Sequence, residues 1–147
     1  MPQSVNEAKN AATGITTQHV VPWTKEAIRE YLASARYDRE VTTITVDGLP
    51  VSTERGNERT TWMQLMSRAA ADSGFTFRKK MNGQFYTLSA AQIIRCGSVG
   101  VAYIGACFAV EDSLLQQIET AETPEALDAI ADTIATESIW PTKVYTT

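Results

Sequence analysis

Few side chains in this sequence could do chemistry: one histidine, His19, two cysteines, Cys96 and Cys107, and scattered carboxylates. Histidine is the usual general acid or base near neutral pH. His19 stands in a polar stretch with no preorganised partner beside it, so no catalytic role is expected of it. A nucleophilic cysteine needs an activating base or a helix N-terminus nearby. Neither is visible around Cys96 or Cys107, and packing is the expected role of both. On one helix their separation would be about 16 Å, too far for a disulfide. With His19 far away in sequence, no metal site is expected either. Gly97-Ser98-Val99-Gly100 lacks the spacing of a nucleophile elbow or a phosphate loop. Glu111-Asp112 and the pair Glu119 and Glu122 sit in helix-like sequence. Sequence neighbours on a helix point to different faces, so solvated carboxylates are expected rather than a paired site. The reading is therefore of a chain that is not an enzyme and needs no cofactor.

Charge narrows the partners. The formal net charge is -4, whereas nucleic-acid binders normally carry a basic face. The longest basic run, Arg78-Lys79-Lys80, adjoins a turn signal and reads as a solvated hairpin end. No nucleic-acid partner is expected. Met1 to Glu7 has neither the basic nor the apolar region of a secretion signal. The most apolar run, Cys96 to Val110, is interrupted by Gly97, Ser98, Gly100 and Gly105. It is shorter than the roughly 20 residues that span a bilayer, so it reads as a buried core helix with no membrane partner.

The elements that would hold these residues can be read from period and punctuation. A length of 147 residues suits one domain. Residues 1–22 are polar and aperiodic and read as an extended N-terminal arm. Residues 23–147 read as a single globular α+β domain. Thr24 caps a helix reaching about Asp38, with Trp23 and Ile28 placed as a hydrophobic staple. The β-branched run Thr42 to Val46, the turn Asp47-Gly48 and Val51 to Thr53 make a first hairpin. A second helix covers Asn57 to about Asp72, with Trp62, Leu65, Met66 and Ala69 as its apolar stripe and Ser73-Gly74 as its stop. Asn82-Gly83 between Phe75–Arg78 and Gln84–Leu88 is the strongest hairpin signal.

Ser89 caps a long helix to about Ala121. Ile94, Gly97, Val101, Ile104, Phe108, Leu115 and Ile118 give it an apolar seam with steps of three and four. Glu111 interrupts the seam, and the glycines in it suggest close approach by another backbone. Thr123-Pro124 starts a further helix whose inner face is Leu127, Ile130, Ala131 and Ile134, and Trp140-Pro141 ends it. The tail from Thr142 is read as either a strand or free. The order helix, hairpin, helix, hairpin, two helices favours α+β. Trp62 and Trp140 are expected in the core. Trp23, at the edge of the arm, is the better interface candidate, and Arg36, Arg39 and Arg55 are expected to pair with Asp38, Glu40 and Glu54.

Several separated stretches in this order resemble one family. They include Ala35-Arg36-Tyr37-Asp38-Arg39-Glu40-Val41, Ile44 to Arg55, Lys80 to Leu88, Ala90 to Ile94, Ala106 to Glu111 and Trp140-Pro141. The chain is similar to a phage and prophage domain of unknown function, catalogued as four-three-seven-six, found beside tail-fibre genes. The resemblance implies a virion setting and carries over no catalytic residues. It leads to the expectation of a tail or tail-fibre structural protein that binds other phage structural proteins, as a homo-oligomer or on a ring. The alternative is a tail-fibre assembly chaperone absent from the finished particle. The expected partner-binding residues are Trp23, Gly97, Val101, Ile104 and Phe108.

Overall fold

The computed structural model describes residues 21–147, so His19 and the expected arm up to residue 20 lie outside the described residues. The chain is α+β. Its elements are α1 (Lys25–Glu40), β1 (Thr43–Val46), β2 (Leu49–Ser52), α2 (Asn57–Ala71), β3 (Thr76–Met81), β4 (Gln84–Ser89), α3 (Ala90–Thr120), α4 (Pro124–Ile134), a 3-10 turn (Glu137–Ile139) and β5 (Val144–Tyr145). Three of the helices, α1, α3 and α4, start where side chains satisfy their first amides, whereas α2 starts at Gly56 with no side-chain cap. Thr24 Oγ1 accepts from Ala27 N at 3.1 Å, and Thr123 Oγ1 accepts from Ala126 N at 3.1 Å. Ser89 and Gln92 cap α3 reciprocally. Gln92 N donates to Ser89 Oγ, and Ser89 N donates to Gln92 Oε1.

Both hairpins turn where the sequence placed them. Asp47 and Gly48, and likewise Asn82 and Gly83, have positive φ, the backbone of a tight two-residue turn. The stop of α2 differs from expectation. Asp72 moves to an extended conformation, and its carboxylate accepts from Gly74 N at 2.9 Å, so no left-handed glycine is needed. The tail is a strand: β5 pairs with β1 in parallel, giving the sheet order β2-β1-β5, while β3 and β4 form a separate two-stranded sheet.

Two compact units emerge from the contacts. One comprises residues 21–37 with Phe108–Trp140, and the other Asp38–Cys107 with Pro141–Thr147. The first packs Ile28 and Leu32 of α1 against Leu114 and Ile118 of α3 and Ile130 and Ile134 of α4. The second packs Ile44, Val46 and Val51 of the sheet with Trp62, Leu65, Leu88 and the first half of α3. α3 thus contributes residues to both units.

In the second unit, α3 turns a different stripe inward from the one expected. Ile93, Cys96, Tyr103 and Cys107 are buried, whereas Ile94 and Val101 are exposed. This corrects the expected seam by about one position. An 18-residue window of α3 has mean hydropathy 1.8, enough by length and composition to cross a membrane. Its buried residues nevertheless form the core of this unit. The glycines of α3 also depart from expectation. A Cβ at Gly97 would collide with the Met66 thioether, a side chain rather than a backbone, while Gly100 and Gly105 face open space.

Asp47 ties the first hairpin to α3 and to the tail. Its carboxylate accepts from Arg95 Nε at 3.2 Å, from Thr147 N at 2.8 Å and from Thr147 Oγ1 at 3.2 Å. The Arg95 hydrogen bond, helped by Thr147, holds the carboxyl below its ordinary 3.8. A lowered folded pKa means the clamp is complete above the unfolded value and is lost as pH falls through the folded one. Titration followed by NMR is expected to place the Asp47 midpoint below 3.8, with Thr147 amide protection disappearing through the same acid window. A midpoint at or above 3.8 would contradict the clamp.

Candidate functional site

The second unit carries an apolar groove of about 130 Å³. α2 supplies Trp62, Met63 and Met66, α3 supplies Cys96, Gly97, Gly100, Val101 and Ile104, and Val51 to Thr53 close one side. Its existence follows from residue size. Where α3 has glycine, α2 can bring Met66 against the helix backbone, and the bare surface at Gly100 leaves space. Methionine is flexible and polarisable, and suits surfaces that adapt to an apolar partner. The rim is unusually open for such side chains: Met63 is 69% exposed and Val101 64%. Arg59 is the charged residue on the lining, and it is already engaged. Its guanidinium donates to Thr53 O at 2.9 Å and to Glu40 Oε2 at 2.9 Å.

Glu40 is the most deeply buried charge of this unit among the described residues. Arg55 holds its carboxylate through hydrogen bonds of 2.8 and 2.7 Å, and Arg59 adds another of 2.9 Å. Thr53 Oγ1 donates to the Glu40 carbonyl, and the Tyr103 hydroxyl donates to the Arg39 carbonyl. Every strong donor here is spent on holding the end of α1 to the sheet and α2.

The residues expected to bind a partner separate into two sets. Gly97, Val101 and Ile104 come together at the groove. Trp23 does not join them. It is buried in the first unit, stacked on Tyr31 at 5.5 Å, so the expected interface anchor is a core residue. Phe108 also belongs to the first unit, where it is exposed and carries the Arg36 guanidinium 4.5 Å from its ring centroid. Arg36 pairs with Glu111 at 3.2 Å, both side chains mostly buried, which corrects the expectation of a solvated Glu111. Arg55 does pair with Glu40, as expected, but Arg59 was not foreseen. Lys79 corrects the reading of the basic triplet: it is buried, bridges Glu58 at 3.1 Å and lies over the Trp62 ring. Met63 and Met66 are among the groove residues that spacing did not single out as binding residues. Their signal was two methionines three apart on a helix face.

The family model described as Domain of unknown function (DUF4376) matches residues 24–131. The chain belongs to this family. No curated protein and no solved structure matches it. In this DUF4376 chain the matched stretch contains all the groove residues, α1 and most of α4.

Both cysteines of the DUF4376 chain are free and buried. Burial pushes the Cys96 thiol up to about 11, from an ordinary 9.0, and raises that of Cys107 as well. A thiol pushed up that far holds about a hundredfold less thiolate, the reactive form, at a given pH. Alkylation of Cys96 in a Cys107→Ser variant is expected to run at least about a hundredfold slower in the folded protein than in denaturant. Similar rates in the two states would contradict its burial. Among the described residues, no group of three His, Cys, Asp or Glu side chains is placed to hold a metal ion.

Proposed function

We propose that this DUF4376 protein is a structural component of a tailed-phage particle, in the tail or tail-fibre region, and that it works by binding other proteins. The observation that carries the reading is the exposed apolar rim of the groove, Met63 and Val101. Exposed apolar side chains at the rim of an apolar groove favour binding to another protein. The resemblance to phage and prophage domains beside tail-fibre genes supplies the setting. The reading assigns the chain no turnover, cofactor or membrane role.

The groove also favours one rival, an assembly chaperone for the tail fibre. A Met-rich, adaptable slot suits transient capture of an apolar segment in an unfinished fibre. Mass spectrometry of purified particles from a phage carrying this gene separates the two. The protein at a fixed copy number is the expected result. Its absence from particles, with expression in the infected cell, would overturn the structural reading in favour of the chaperone.

A further inference from the structure

The two units carry opposite charge. Residues 21–37 with Phe108–Trp140 hold ten Asp and Glu against three Lys and Arg, a net of -7. Asp38–Cys107 with Pro141–Thr147 hold six against nine, a net of +3. The overall charge of -4 hides this separation.

Each unit also displays its sign on a specific surface. In the basic unit the β3–β4 hairpin turns one face to solvent. Arg78 lies opposite Thr87 and Lys80 opposite Phe85. Phe85 is 58% exposed, with Arg78 5.6 Å and Lys80 5.9 Å from its ring centroid. An exposed aromatic flanked by cations combines apolar contact area with charge, the composition of an interface anchor. In the acidic unit, the end of α3 and the start of α4 enclose a shallow groove of about 470 Å³. Ala121, Ala126 and Ala129 give it small walls, Glu122 lies on its lining, and Glu125 is exposed in the first turn of α4.

We infer that the β3–β4 hairpin of one copy docks on the acidic α3–α4 groove of a second copy. Phe85 meets the alanine walls, while Arg78 and Lys80 face Glu122 and Glu125. Charge complementarity selects the occupant: the chain presents both halves of the contact, so a second copy satisfies it without any other protein. Such a contact closes reciprocally in a two-fold dimer, each hairpin on the other copy's groove, or repeats from copy to copy as a ring or filament. This deepens the protein-binding reading above by naming one partner, and it uses a surface other than the apolar groove.

The test is self-association of the purified full chain, followed by sedimentation velocity across a concentration series. Salt is set at about 0.02 M and about 0.5 M, where screening lengths differ several-fold. Concentration-dependent association at low salt that weakens at least about tenfold at high salt is expected. Arg78→Glu with Lys80→Glu should be monomeric, and so should Glu122→Lys with Glu125→Lys, each with an unchanged thermal melt. Mixing the two variants should restore association, since every contact in the mixture again joins opposite charges. A wild-type chain that stays monomeric at low salt overturns the inference. So does a reversed variant that assembles like wild type, or a mixture that stays monomeric. A monomeric chain that still enters particles would sink this contact alone and leave the proposed function standing.

Discussion

Replacing Arg55 and Arg59 together by methionine is expected to destabilise the protein by about 3–5 kcal/mol, read from a denaturant melt. The reason is an asymmetry of burial. The Glu40 side chain has no exposure, whereas those of Arg55 and Arg59 are 49% and 30% exposed. Removing both cations takes charged hydrogen bonds from a carboxylate in the protein interior, where weakened charge pairing is strongly unfavourable. Removing the carboxylate instead, with Glu40→Gln, leaves two cations that already reach water. That change is expected to cause the smaller loss, because charged hydrogen bonds are exchanged for neutral ones. Equal losses in the two variants would contradict this picture, as would a double-methionine variant as stable as wild type.

The second large effect distinguishes two neighbours in sequence. Ile93→Ala is expected to cost about 2–5 kcal/mol and Ile94→Ala less than about 0.5 kcal/mol. Ile93 is fully buried among Ile44, Leu88 and Trp62 in the core of its unit, while Ile94 is exposed. A large buried side chain loses both its transfer free energy and its packing when truncated; an exposed one loses little. Equilibrium unfolding of the two variants checks the orientation of α3 directly. A larger loss at Ile94 than at Ile93 would mean the helix presents the other stripe to the core.

That orientation is where the sequence was hardest to read. α3 is apolar nearly all round from Ile93 to Val110, so steps of three and four fit more than one stripe. Choosing the stripe by its largest aliphatic residues favours Ile94 and Val101. The core instead uses Cys96, Tyr103 and Cys107, and the Tyr103 hydroxyl reaches the Arg39 carbonyl. No local rule anticipates an acceptor 64 residues away in the chain. The same limit hid Arg59 behind Glu40, and β5 beside β1, which pairs Thr45 with the sequence-distant Val144. Local signals were legible. Thr24, Ser89 and Thr123 cap helices as their types and spacing require, and Asp47-Gly48 and Asn82-Gly83 turn as residues tolerant of positive φ do.

The candidate site was legible in part for the same reason. Gly97, Val101 and Ile104 share a helix face, so their proximity follows from period alone. Met63 and Met66, which complete the groove from α2, depend on how two helices pack. Trp23 shows the converse. A tryptophan beside a polar arm resembles an interface anchor in one dimension, yet its ring is stacked within the core of its unit.

The most direct test of the groove as the working surface is the content of particles from a phage whose gene carries Met63→Glu with Val101→Glu. Both side chains are largely exposed, so the variant is expected to fold and melt like wild type. The account predicts wild-type protein in purified particles at a fixed copy number and loss of the folded variant from them, measured by mass spectrometry. A folded variant present at the wild-type copy number would contradict it.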